Sequence, residues 1–280
     1  MAEEFALLSE DEQQEILAEL DPDIVDQMSR GFWWWTARPE QIPPETDWNL
    51  FLYLAGRGAG KSKSGSEWLV QRTIDHPYDT SGFPSERLVM AYSLSDARMV
   101  CIEGPSGILR ALHIRGFQEA KDHYKGPLEF RYSYIKSPKP HITLLETGAR
   151  IFFTGSEIDA ARGLNLADVW LDEICKWDNS FQVWREGIRP ALRADIPNEK
   201  PRAFVTTTPK PIALLRYWLD QFNKGEGNIS VVRGSTFDNR INLSEDFLHD
   251  ITKMYDGTAL GRQELYGSVQ IGRASCRERV

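Results

Sequence analysis

Two short stretches of this sequence combine the residue types needed to hold and split a nucleoside triphosphate. Residues 55–62 read Ala-Gly-Arg-Gly-Ala-Gly-Lys-Ser. The phosphate-cradling pattern is GxxxxGK[ST]; here Ala55 stands at the first glycine, Gly56 and Gly58 lie inside the loop, and Gly60-Lys61-Ser62 is intact. Glycines at 56, 58 and 60, with the small Ala59 between them, let successive backbone N–H groups wrap a phosphate at a helix N-terminus. Lys61 is spaced to reach the β- and γ-oxygens, and the Ser62 hydroxyl to ligate magnesium. ATP and Mg2+ are the implied substrate and ion. A glycine-rich turn before a helix is the ordinary alternative. The apolar run before the loop and the helical pattern after it favour the phosphate loop.

The second stretch, residues 167–173, is Ala-Asp-Val-Trp-Leu-Asp-Glu. A buried strand that delivers Asp172 and then Glu173 at its C-terminal end puts both acids where ligands bind in open α/β sheets. Asp172 is expected in the magnesium shell, with Glu173 orienting and deprotonating the attacking water.

The elements that must position these groups follow from periodicity. Buried strands are expected at Asn49–Ala55, Arg87–Tyr92, Val169–Leu171 and Ala203–Thr207, and a hairpin over 141–154 around Thr147-Gly148. Helices are expected over Lys61–Ile74, Ser95–Leu112, 212–222, 244–255 and 258–266. Alternating strands and helices imply an α/β fold with a mainly parallel sheet and helices on both faces. Intervening strands between the phosphate loop and an Asp-Glu pair point to the additional-strand, catalytic-glutamate type of P-loop NTPase. Three regions are expected. Residues 1–30 read as an acidic helical segment, with Ser9 and Glu12 as a capping box, and residues 31–270 as the ATPase domain. The third, 271–280, has no apolar period and resembles the translated read-through of a sequencing adapter. On that reading the natural chain continues beyond about Gln270.

Bulk properties narrow the partners. The chain has 280 residues and a net charge of −8. Residues 1–29 hold ten acids and no Lys or Arg, and the last ten residues are net basic, so 30–270 balance to neutrality. No basic stripe of the usual duplex-binding kind is visible in composition. A grip on DNA therefore needs a few placed side chains, a partner, or a ring. No apolar run is long enough for a membrane span. Cys101, Cys175 and Cys276 form no CxxC pair, which argues against zinc or a disulfide framework.

With both motifs and their surroundings, the chain resembles the ATPase half of the large terminase subunit of tailed phages. The resemblance covers roughly residues 31–270. It is carried by Trp35-Thr-Ala-Arg-Pro-Glu-Gln-Ile-Pro-Pro, Leu54-Ala-Gly-Arg-Gly-Ala-Gly-Lys-Ser, Ala161-Arg-Gly, Leu171-Asp-Glu-Ile-Cys-Lys-Trp, Thr206-Thr-Thr-Pro-Lys-Pro and Gly261-Arg-Gln-Glu-Leu-Tyr-Gly.

The resemblance implies further roles. Arg57 would contact the γ-phosphate or switch on hydrolysis, and Gln41 would read the adenine edge with its amide. Arg162 would serve as an arginine finger on a neighbouring subunit. Thr206–Thr208 would couple phosphate state to movement, with Thr208 at the nucleotide. Implied partners are duplex DNA, the portal ring of a procapsid, the small terminase subunit, and copies of this chain in a homo-oligomeric ring. The implied place of action is the host cytoplasm, transiently at the portal. A terminase nuclease needs clustered carboxylates for metals. The acids of 236–270 do not have that spacing, so no DNA cleavage is expected from this chain. A helicase-like or other DNA-dependent P-loop ATPase shares several of these motifs, and a catalytically weak fragment is a third reading.

Overall fold

The computed structural model describes residues 36–45, 47–120 and 130–255, together with Ser9, Ile16, Trp33, Gly261 and 265–267. The expected N-terminal helix, most of the expected helix over 258–266 and the tail lie outside the described residues.

A mixed sheet of nine strands runs through the described region, flanked by helices on both faces. In chain order the strands are β1 (Leu50–Ala55), β2 (Glu86–Met90), β3 (Gln118–Glu119), β4 (Arg131–Ile135), β5 (His141–Leu144), β6 (Arg150–Thr154), β7 (Leu166–Asp172), β8 (Arg202–Thr207) and β9 (Ile229–Gly234). Their spatial order is β3-β4-β5-β6-β2-β7-β8-β1-β9. The block from β6 to β9 is parallel throughout. The strands β5 and β6 form the expected antiparallel hairpin, and β4 adds to it antiparallel. Because β8 lies between β1 and β7, an additional strand separates the strand before the phosphate loop from the strand of the acids, as expected for the catalytic-glutamate type.

Both β1 and β7 are buried along their whole length, and β1 accordingly reads as a continuous apolar run rather than an alternating one. Successive side chains still part to opposite faces. Phe51, Tyr53 and Ala55 enter a core with Trp68, Leu69 and Val70 of helix α1 (Lys61–Asp75). Leu50, Leu52 and Leu54 enter a second core with Trp184 and Trp218. Trp218 belongs to α5 (Ala213–Asn223).

The helix expected over Ser95–Leu112 is corrected by the structure to two pieces. One, α2, is Leu94–Asp96 continuing into the π-helical Ala97–Ile102, and the other, α3, is Ile108–Ile114. Gly104, Pro105 and Gly107 lie between them. A Cβ at Gly104 would come within 2.5 Å of the Val100 carbonyl, and one at Gly107 within 2.6 Å of the Ile102 carbonyl. Proline and two close backbone approaches end a helix. Two further helices among the described residues are α4, which runs Ser180–Gln182, π-helical Val183–Ile188 and Arg189–Ala191, and α6 (Glu245–Tyr255).

At the N-terminal end of β7 a buried ion cluster fixes the strand's placement. Asp168 accepts from Arg72 Nε at 3.1 Å and from Arg87 Nε at 3.0 Å. Arg87 also donates to the Arg72 and His76 carbonyls. Such charges are tolerable inside only when fully partnered. Here they tie the last turn of α1 to β2 and β7, so the opposite ends of those elements arrive together.

Candidate active site

The loop from Ala55 to Gly60 joins β1 to α1, and every one of its carbonyls is engaged by a donor. Lys61 Nζ donates to Ala55 O at 3.1 Å and Gly56 O at 2.8 Å. Thr236 Oγ1 takes Arg57 O at 2.7 Å, and Asn239 Nδ2 takes Gly58 O at 2.6 Å. Arg38 Nη2 and the Tyr53 hydroxyl share Ala59 O, at 2.8 and 3.0 Å. Gln41 Nε2 reaches Gly60 O at 3.3 Å. With its acceptors tied down, such a loop presents N–H groups to an anion. Gly58 and Gly60 have left-handed φ of 70° and 80°, which a side chain at either position would strain. Gly56 is not left-handed, so the shifted glycine pattern still supplies the two turns the loop needs.

Gln41 is buried at the end of a short 3-10 turn, Pro39–Gln41. Its Oε1 accepts the Arg38 N–H at 3.1 Å. One amide hydrogen and one lone pair are thus used by the protein, and a carboxamide has two of each. Arg38, which the sequence does not single out as a site residue, also bonds Asn239 Oδ1 at 2.7 Å. It joins the Gln41 turn, the phosphate loop and the segment after β9.

The acids sit at the C-terminal end of β7, and β8 holds them in place. Thr206 Oγ1 donates to Asp172 Oδ1 at 2.6 Å, while the Thr206 carbonyl accepts the Glu173 N–H at 2.6 Å. Thr207 Oγ1 accepts the Cys175 N–H at 3.2 Å. Thr208 donates its N–H to Glu173 Oε2 at 3.3 Å and its hydroxyl to Oε1 at 3.4 Å. Each threonine of the triplet therefore orients part of the acidic turn. Glu173 itself takes a left-handed backbone, φ 50° and ψ 43°. Non-glycine residues held there concentrate at functional sites.

Lys61 closes the arrangement. Its ammonium lies 3.1 Å from Thr208 Oγ1 and 3.7 Å from Glu173 Oε1. Lys176 stands 3.7 Å from the other Glu173 oxygen. A cavity of about 270 Å³ opens here, lined by Arg57, Glu173, Lys176, Thr208 and Lys210. Arg57 is on this cavity. Lys176 and Lys210 are not singled out by the sequence, although each lies inside a quoted motif. Burial first, and then the neighbouring Glu173 charge, push the Asp172 carboxyl up to about 6; the Thr206 hydrogen bond and the Lys61 and Lys176 charges oppose that rise.

Ser62 is half-buried in the first turn of α1, at the same edge of the sheet as Asp172. Among the described residues no group of three or more His, Cys, Asp or Glu side chains could hold a metal by itself. One hydroxyl and one carboxylate fit an ion that takes its other ligands from phosphate and water, as magnesium does.

Of the sequence-selected residues, Arg57, Glu173 and Thr208 line this cavity, and Arg162 does not. It follows the 3-10 turn Ile158–Ala161, its side chain is 77% exposed, and it pairs with Asp159 at 2.9 Å. The whole of β7 lies between it and Glu173 in the chain.

Strand order, loop and acidic pair together define a P-loop NTPase fold of the additional-strand type. Residues 52–275 match the family described as terminase large subunit, T4-like virus type, N-terminal, and the chain belongs to that family. Among solved structures, the large terminase of a thermophilic bacteriophage aligns at 18% identity and a TM-score of 0.52, over 87% of this chain and 52% of its own. The same phage protein in complex with ATP-γ-S aligns at 19% and 0.53, over 86% and 51%. The large terminase ATPase domain of Thermus phage P74-26 aligns at 18% and 0.49, over 79% and 88%. For the first two of these the likeness is one of fold, and this chain spans about half the length of the first. No curated protein matches it.

Proposed function

We propose that this chain is the ATP-hydrolysing region of a packaging motor that drives duplex DNA into a procapsid. The observation that carries the reading is the meeting of Lys61, Thr208 and Glu173 within 3.7 Å of one another at the mouth of the phosphate loop. Lys61 would exchange its loop carbonyls for the β- and γ-phosphate oxygens. Glu173 would take a proton from water as the water oxygen bonds to the γ-phosphorus, and the bond to the β-phosphate oxygen breaks to leave ADP. Ser62 and Asp172 would hold Mg2+, which supplies charge neutralisation at the phosphates. Gln41 would use its second amide hydrogen and lone pair on adenine, and Arg57 would face the γ-phosphate from the cavity.

Arg162 is assigned to a neighbouring subunit's site. Its exposed side chain supports action in trans, which requires a neighbouring copy of the chain. The portal, the small terminase subunit and DNA are the partners this reading assigns. No described helix is long and apolar enough to cross a membrane. The reading also assigns no metal-dependent DNA cleavage to these 280 residues.

The test is nucleotide binding by the purified chain, measured calorimetrically with MgADP and with ATP. Micromolar-range binding that requires the phosphate chain and strengthens with magnesium is expected. Absence of binding, or equal binding of adenosine and ADP, would remove the reading.

A further inference from the structure

Trp170 lies on β7 two residues before Asp172 and is completely buried. Its indole N–H donates to Thr206 Oγ1 at 2.8 Å, and that hydroxyl donates in turn to Asp172 Oδ1 at 2.6 Å. A hydroxyl has one hydrogen, and an indole nitrogen only donates. With the indole occupying a lone pair, the Thr206 hydrogen is left for the carboxylate. A second indole holds the main chain of the same residue, Trp177 Nε1 donating to Asp172 O at 3.1 Å.

The five-membered ring of Trp170 also packs on α1. A Cβ at Gly65 would come within 2.2 Å of the ring, so glycine is what lets ring and helix approach. That helix begins with Lys61 and Ser62. One side chain therefore touches the helix that starts at the phosphate loop and, through Thr206, the carboxylate at the end of β7. A buried apolar strand position can be filled by any large hydrophobe, but of these tryptophan alone adds an N–H donor.

We propose that Trp170 is a positioning residue for the magnesium site: its indole N–H fixes the Thr206 hydroxyl as a donor to Asp172, while its ring sets the spacing between α1 and that carboxylate. The inference rests on the assignment of Asp172 to magnesium. Outer partners of metal ligands commonly change metal affinity by about 10–100-fold.

The experiment titrates Mn2+ into the ADP complex of the full chain by electron paramagnetic resonance, and measures ADP affinity in EDTA. Trp170→Phe is expected to keep the wild-type ADP affinity in EDTA and to lose about tenfold in Mn2+ affinity. Thr206→Val should lose a similar factor, and the double variant no more than either, because both act on one path. Equal loss of ADP affinity with and without metal, unchanged Mn2+ affinity, or losses that multiply in the double variant would overturn the inference. A wild-type ADP complex that takes up no Mn2+ would overturn the magnesium assignment, and the inference with it. Should Trp170→Phe not fold, 3-benzothienylalanine placed at position 170 keeps the ring shape, removes the N–H and is read by the same criteria.

Discussion

Lys61 Nζ stands 3.7 Å from Glu173 Oε1, with the Thr208 hydroxyl 3.1 Å from the lysine and 3.4 Å from the same carboxylate oxygen. The group expected to meet the phosphates and the group expected to act on water are thus partners. Entry of ATP would draw Lys61 toward phosphate and free one oxygen of the base. Lys61→Ala should weaken ADP and ATP binding by about 10–100-fold, the value of a charged hydrogen bond of about 1.5–3 kcal/mol. Calorimetric titration checks this, and affinity within about twofold of wild type would contradict it.

Gly60→Ala should damage the adenine side of the site as well as the loop. The residue has φ +80°, and a Cβ there would lie 2.4 Å from Gln41 Nε2. The backbone strain is about 1–2 kcal/mol, and Gln41 must also move. Loss of ADP affinity is expected together with a smaller preference for ADP over GDP. Paired titrations with the two nucleotides measure it.

The Asp172 carboxyl, raised to about 6, makes two opposite pH effects. Its folded value stands above the ordinary aspartate value of about 3.9, so the folded chain holds this proton more tightly than the unfolded one. The resulting stability is full below about pH 4 and is lost as pH rises through about 6. Metal uptake runs the other way, because a protonated Asp172 does not hold a cation. Mn2+ affinity of the ADP complex should fall as pH drops through about 6, and Asp172→Asn should remove this group's share of the stability trend seen in urea unfolding.

Much of this arrangement is legible in the sequence. The strand expected at Asn49–Ala55 forms at Leu50–Ala55, and the hairpin around Thr147-Gly148 forms with both strands in place. These follow from local pattern. The break between α2 and α3 is also written there, in Gly104-Pro105, but helical spacing on either side outweighs it. Strand β9 escapes because its residues are half-buried at the sheet edge and show no clean alternation. The roles of Arg38, Asn239 and Trp170 cannot be read from the sequence at all. Arg38 meets Asn239 across 201 residues and Trp170 meets Thr206 across 36, pairings set by sheet order and loop closure rather than by local spacing.

Arg162 separates action on its own site from action on a neighbour's. With a side chain 77% exposed, Arg162→Ala should leave ADP affinity unchanged. It should also erase the rise in turnover with protein concentration, since a finger contributes about 10³–10⁵ in rate. Mixing Arg162→Ala with Glu173→Gln protein should restore activity in assemblies where an intact finger faces an intact base. No recovery, with assembly confirmed by light scattering, would return Arg162 to a structural pair with Asp159.

The most direct test of the account is ATP turnover by Glu173→Gln beside the wild-type chain, under conditions where wild type hydrolyses ATP. The amide keeps the shape of the side chain and its contact with Thr208 but cannot take a proton from water. The account predicts ATP bound with affinity within a few-fold of wild type and recovered intact, with hydrolysis reduced by about 10²–10⁴. Turnover near the wild-type rate would contradict the assignment of Glu173 as the base and, with it, the chemistry proposed for this site.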